Sequence, residues 1–276
     1  MANTTVKTFW WAQLEAARRP GNTYVPMDFS TLNGYFKIED GAALAQDEFP
    51  EPKLLVIGRG GHENEGLDIT NTKQHRVNNA RLFEHLPFVL REVNDDLEDD
   101  ERLKYRLRRL ENYNGKDYFA YYAKVLNPIS SGAGGEQLTV NADGEIERKP
   151  YVPTIAQYDP QPVSMVDGEV NSATDTYLSV SDIQEIVITP AEIQDILDAV
   201  DIIYGDRRKA VISEMGIASS FDRPTSSSAG GISANYTEAI GSQVCSFLGG
   251  SRRELESQNT EIRLRLRGGN TLPLLS

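Results

Sequence analysis

The chain has a single cysteine, Cys245, in 276 residues. An intramolecular disulfide and a thiolate zinc cage are therefore excluded, and stability has to come from packing or from neighbouring subunits. Histidine is nearly as scarce: His62, His75 and His85 form no HExxH or other short ligand pair, so neither a metal nor any other cofactor is expected. There is no GxSxG elbow, and Cys245 lies in a half-apolar segment without a local base, where a buried small hydrophobe is the simpler reading. With 41 acidic residues, no carboxylate pair can be singled out by spacing, and no catalytic residue is assigned. No stretch approaches the roughly 18 apolar residues a spanning helix needs. The opening MANTTVKTFWWAQLEAARRP has neither the apolar run of a signal peptide nor the acid-poor composition of a transit sequence. A soluble protein made inside the cell, without membrane insertion, is the expectation.

Positive charge is also in short supply, with 28 Lys and Arg against 41 Asp and Glu and a formal net charge of -13. A surface that grips nucleic-acid phosphates needs clustered cations to displace counterions. Specific DNA binding is not expected; the balance suits simple solubility, or a wall past which DNA slides without being held. Two basic stripes break this background, Arg106, Arg108 and Arg109, and Arg263, Arg265 and Arg267. Each is either a solvated strand face or an interface for acidic surface. Residues 94–101, NDDLEDDE, hold six carboxylates in eight positions. They lack the turn glycine and closing Glu of a calcium loop, so a solvated acidic loop, matched to a basic patch on a partner, fits better.

The best-specified stretch runs from Val180 to Pro224. Thr189 fits an N-cap, Pro190 the first helical position and Glu192 the capping-box carboxylate. Ile193, Ile196, Leu197, Val200, Ile203 and Tyr204 then recur at three- and four-residue steps, with Glu192, Gln194, Asp195, Asp198 and Asp201 on the other face. Gly205 supplies a stop, Lys209 to Ala218 read as a strand, and Asp222 to Gly231 loosen into loop. Near the start, Phe9, Trp10, Trp11 and Leu14 form an aromatic knot on a short helix ended by Pro20 and Gly21. Asn22 to Leu44 is rich in turn formers and fits an extended arm better than a packed helix.

Lys53 to Ile57 is a short apolar strand that runs into Gly58, Arg59, Gly60 and Gly61. Bare amides in such a turn can cradle a phosphate. Without a GK[ST] signature, and with His62, Glu63 and Glu65 following, an exposed hairpin or interface loop is preferred. Strands are expected in LPFVLREV, YRLRRLE and KDYFAYYAKVL, the last apolar on both faces. A hairpin turns at Asp143 and Gly144, and Pro150, Pro153, Pro160 and Pro162 mark an extended crossing segment. Asn235 to Leu248 fits a helix and a strand equally, whereas Glu261 to Arg267 alternates as an amphipathic strand capped by Gly268 and Gly269. The expected fold class is α+β, a mixed, strand-rich core with a few helices and long extended arms. It divides into an N-terminal helix and arm at 1–52, a strand-rich lobe at 53–149, and a crossing segment with a helix–strand lobe at 150–276.

The segment TPAEIQDILDAVDIIYGDRRKAVISEMGIASSFDR, with VNNARLFEHLPFVLREVNDDL upstream and NYTEAIGSQVCSFL downstream, resembles virion structural proteins of tailed bacteriophages, in particular tail-tube or neck components of short-tailed phages. What the resemblance implies is a homo-oligomeric structural subunit rather than an enzyme, assembled in the host cytoplasm and incorporated into the virion. Its partners would be copies of itself and other virion proteins such as portal, tail or baseplate subunits. A tail-tube or head-to-tail connector ring would let DNA pass without specific binding. Other placements are a baseplate or capsid decoration protein, and the reading from a different class is a hydrolase or nucleotide-binding enzyme using Gly58 to Gly61.

Overall fold

The computed structural model describes residues 4–38, 44–62, 72–127, 129–130, 132–160, 162, 165–166, 169–170, 175–229, 232–256 and 260–274. In chain order the elements are β1 (Thr4–Lys7), α1 (Phe9–Ala17), α2 (Leu32–Phe36), β2 (Glu51–Gly58), β3 (His85–Leu86), β4 (Val89–Glu92), α3 (Asp99–Arg102), β5 (Tyr105–Tyr113) and β6 (Lys116–Val125). They continue with β7 (Ile129–Ser130), β8 (Gly134–Val140), β9 (Ile146–Pro150), β10 (Met165–Val166), β11 (Glu169–Val170), β12 (Thr176–Ile188), α4 (Pro190–Tyr204), β13 (Val211–Ala229), β14 (Ile232–Glu254) and β15 (Ile262–Pro273). The protein is strand-rich, and its strand pairs are antiparallel. Two compact units divide it: Met1–Asn127 with Ile188–Glu261, and Pro128–Val187 with Ile262–Ser276. The second is an insertion completed by the C-terminal strand, whereas the sequence reading drew three consecutive stretches. Composition changes along a chain do not reveal which distant segments pair.

The first unit is built on an eight-stranded sheet in which β1, β14, β13, β2, β6 and β4 follow one another, with β3 on β2 and β5 on β6. β2 is buried from Leu54 through Gly58, as its continuous apolar run demands of a central strand. β6 buries Tyr118, Ala120 and Tyr122 and also Tyr121 and Ala123, so both of its faces are covered, as expected. The main core joins Leu54, Val56, Leu90, Leu107, Val244 and Phe247 to Leu32 and Phe36 of α2.

That last contribution corrects the expected arm at Asn22 to Leu44. Leu32, Phe36 and Ile38 are core residues, and Tyr24 packs with Leu14 and Ala17 of α1. Residues 39–43 of that stretch lie outside the described residues. Thr31 caps α2, and the buried Asn33 donates to Ala239 O (2.5 Å) and accepts from Ser242 N (3.0 Å), taking the place of a strand neighbour along β14. Turn-forming composition concealed a five-residue helix whose support is entirely tertiary.

α4 begins as its sequence demands: Thr189 Oγ1 accepts from Glu192 N, Thr189 N donates to Glu192 Oε2 (2.8 Å), and Gly205 ends the helix at φ 67°. Ile193, Ile196, Leu197 and Val200 are buried. Glu192 departs from the expected wet face; it is buried and paired with Lys124 at 2.7 Å. The strand after α4 does not loosen at Asp222. It continues to Ala229 and pairs with β14 from Val211↔Glu254 to Ala229↔Ile232, with register shifts along the way. The segment Asn235 to Leu248, open between helix and strand, is therefore strand. Gly241 takes φ +60°, a conformation that costs glycine little, and it faces Leu44 and Pro50.

The second unit holds a five-stranded sheet, β15-β12-β8-β9 with β7 on β12, and the small β10–β11 pair. β8 and β9 form the expected hairpin, with Asn141 N donating to Glu145 O across the turn. The strand at Glu261 to Arg267 is present, with Ile262 and Leu264 buried, but it is not capped by its glycines. β15 runs through them to Pro273, because a Cβ on Gly269 would lie 2.7 Å from Ser181 Cα. Close strand approach, not termination, is what that glycine serves.

Candidate functional site

Glu214 sits near the start of β13, 1% exposed, in a stretch from Val211 to Phe221 otherwise made of apolar and small residues. Its carboxylate accepts from the backbone amides of Gly60, Phe83 and Glu84, each at 2.9 Å, and lies 2.9 Å from His75 Nε2. Gly61 N donates to the neighbouring Ser213 Oγ at 2.9 Å. The Gly58–Gly61 turn thus brings bare amides to an anion, but the anion is the protein's own side chain. The glycines are required by distance: a Cβ on Gly58 would lie 2.7 Å from Glu214 Oε1, and one on Gly60 2.7 Å from Phe83 Cβ. This buried cradle corrects the expected exposed hairpin loop. Glu63 and Glu65, which argued against a phosphate there, lie outside the described residues.

The same carboxylate organises a second loop. Residues 73–84 are tied at one end by His75, whose ring stacks on Phe247 at 3.9 Å and Phe83 at 4.3 Å, and at the other by the Phe83 and Glu84 amides. Between these ties, Val77 O accepts from Phe9 N (2.7 Å) and Asn79 O from Trp10 Nε1 (2.8 Å). The aromatic knot of α1 is therefore divided. Trp11 packs beside Leu14, Trp10 holds the loop, and Phe9 remains 51% exposed.

Burial alone would raise the Glu214 carboxyl, but the hydrogen bonds from His75 and from the Glu84 and Phe83 amides outweigh it and hold the group below its ordinary range. His85 is buried against Phe36 and Tyr35 and accepts from Leu82 N through Nε2. Burial lowers its pKa from 6.5 to about 4; Glu214 opposes this, while Arg81 and His75 reinforce it. Both shifts have the same sign for stability. The unfolded chain protonates His85 below about 6.5 while the folded ring stays neutral, so stability falls as pH drops from 6.5 towards 4. Glu214 adds a further loss as pH falls below the ordinary carboxylate range. The expected decline over that window is on the order of 3 kcal/mol, read as the urea midpoint between pH 7 and 4.5. A His85→Gln variant should flatten the upper part of the slope; equal slopes in both chains would exclude the imidazole as its source.

The arginines at 106–109 are neither a solvated face nor a free interface. Arg106 is buried in a two-point pair with Asp222 (3.0 and 3.2 Å), Arg108 meets Asp96 at 2.9 Å and lies 3.4 Å over the Phe119 ring, and Arg109 meets Glu111 at 3.2 Å. The acidic loop supplies partners from inside the chain. Asp96 also takes Tyr121 Oη at 2.7 Å, and the buried Arg102 binds Asp99 at 2.7 Å and Asn235 O at 3.0 Å. Arg263 and Arg265 meet Glu185, and Arg267 meets Glu136, within the second unit. Cys245 is buried as expected, and burial pushes its thiol up to about 12, away from nucleophilic use.

His75 and His85 both lie against the Glu214 cradle, and no group of three or more metal-binding side chains is assembled among the described residues. Sequence reasoning singled out the glycines and the histidines but missed Glu214, which joins them. The available signal was a carboxylate inside an apolar strand, VISEMGIA, where burial requires a partner. No helix among the described residues is long and apolar enough to cross a membrane.

Comparison with known proteins places this architecture in a family. Over residues 1–276 the chain matches the model of a family of unknown function, DUF7208, and it belongs to that family. No curated protein and no solved structure matches it.

Proposed function

We propose that the chain is a structural subunit of a tailed-bacteriophage virion, forming a homo-oligomeric tail-tube or head-to-tail connector ring through which DNA passes. The observation that carries this reading is the β13–β14 hairpin. β2 covers β13 only from Glu214 to Ser220, and β1 covers β14 only from Ser246 to Gly249, yet the two strands stay paired out to Ala229↔Ile232. Asn33 and Arg102 tie β14 at Ala239, Ser242 and Asn235, and beyond those ties the pair runs on as a two-stranded ribbon, which is marginal in water by itself. In a chain that is 25% charged, residues 224–237 carry no charge at all, although edge strands that must stay single are normally protected by lysines. A limb of this kind is stabilised when a sister copy covers it, so the extended arm of the molecule is this hairpin.

The resemblance of the surrounding segments to phage virion proteins supports the same reading, and the net charge of -13 suits a channel that DNA must traverse without adhering. The enzyme reading requires Gly60 and Gly61 to present amides to a ligand, and those amides are given to Glu214 and Ser213. A baseplate or capsid decoration role differs only in position within the particle. Mass photometry of the purified chain at micromolar concentration should give one discrete species of many copies. Replacing residues 228–233 by a two-residue Asn-Gly turn, which joins the paired Ser227 and Ala234 in register, should leave the circular dichroism spectrum intact while collapsing that species. A lone monomer of the unaltered chain at every concentration would overturn the proposal.

A further inference from the structure

The loop organised by Glu214 carries Lys73, Arg76 and Arg81, with no acidic residue from 72 to 83, in a chain whose overall charge is strongly negative. None of the three cations has a carboxylate within 4.0 Å among the described residues. Two are already positioned by aromatic rings, Arg81 at 4.5 Å over Tyr35 and Lys73 at 5.6 Å over Phe83. Between them stand apolar groups open to solvent, Val77 at 60% and Phe83 at 45% exposure, with Phe9 beside them. Held side chains, an apolar centre and a charge unpaired among the described residues are the ingredients of a docking surface with little ordering cost.

The matching surface is on the same chain. Once Asp96 and Asp99 are bound by Arg102 and Arg108, the acidic loop still presents Asp95, Glu98 and Asp100, all exposed and without a cationic partner among the described residues. Within one copy no ion pair joins the two loops among the described residues. The basic loop is tied to Glu214, whereas the acidic loop is tied through Arg102 to Asn235, opposite Ser226, twelve residues farther along β13. At the rise of an extended strand Glu214 and Ser226 are roughly 30 Å or more apart, while Asp96 reaches back to Tyr121, opposite Val89.

We propose that the 73–83 loop of one copy docks on the 95–101 loop of a second copy, a head-to-tail contact that repeats into a ring or a helix of subunits. This rests on the homo-oligomeric reading above and names the surfaces that would join its copies. The test reverses each side separately. Arg76→Glu with Arg81→Glu, and Asp95→Lys with Asp100→Lys, should each weaken assembly by at least about tenfold in apparent dissociation constant. An equimolar mixture of the two variants, or one chain carrying all four changes, should restore the large species. Added salt should weaken the unaltered contact. Sedimentation velocity reads the species, and circular dichroism confirms that each variant is folded. If the unaltered chain assembles and either folded pair variant assembles equally well, or if the mixture fails to recover, this contact is wrong while the oligomeric reading stands. If the unaltered chain is a monomer throughout, both fall.

Discussion

Replacing Glu214 with alanine is expected to cost the first unit much of its stability. Three backbone amides and His75 would lose a buried acceptor that no water-exposed group can replace. Each orphaned donor costs about 1–3 kcal/mol, so the total is on the order of 4 kcal/mol or more, a large share of what a domain of this size possesses. Glu214→Gln should recover roughly half. Its carbonyl can serve the Gly60 and Glu84 amides that bond Oε1, while its amino group faces the Phe83 N–H that bonds Oε2. Urea denaturation gives the ranking, and amide hydrogen exchange at Gly60, Phe83 and Glu84 locates it. Unchanged protection at those three amides in the alanine variant would show that the carboxylate is not what holds them.

The second large effect is expected at Gly61. A methyl group there would run into the Ser213 carbonyl, with the carbonyl carbon 2.9 Å from the added Cβ, and both sides of the clash are backbone. β13 is pinned between β14 and β2, so relief requires moving strands rather than a rotamer. Gly61→Ala should destabilise by about 2–4 kcal/mol, in the range of core overpacking and strain. Gly134→Ala is the matched control, since an added Cβ there meets nothing within 4 Å. It should stay within about 0.5 kcal/mol of the unaltered chain. Equal melting temperatures for the two alanine variants would mean that the turn yields more easily than its geometry implies.

How legible the fold was depended on how local its causes were. α4 was readable because Thr189, Pro190 and Glu192 encode its start within four residues, and β15 because Ile262, Leu264 and Leu266 alternate with arginines. α2 was not, because Leu32 and Phe36 make a helix only by filling space beneath β14, with Asn33 bonded to that strand. The outer half of the hairpin was hidden for a related reason. Ser226 to Ser228 have weak strand preference, and their conformation comes from pairing with residues 233–235 across the turn. At the cradle, the glycine turn was visible but its occupant was 154 residues away. Sequence motifs announce a vacancy for an anion without saying which anion fills it.

The split of the second unit bears on how the molecule is made. Its β8, β9 and β12 are translated before β13 and β14, whereas β15, which pairs alongside β12, follows both of them. The first unit likewise waits for β14, because β1 has its neighbour at Ser246–Gly249. Pairings this distant in sequence slow folding. Neither unit can close until the chain has been made at least through the strand that completes it, β14 for the first and β15 for the second.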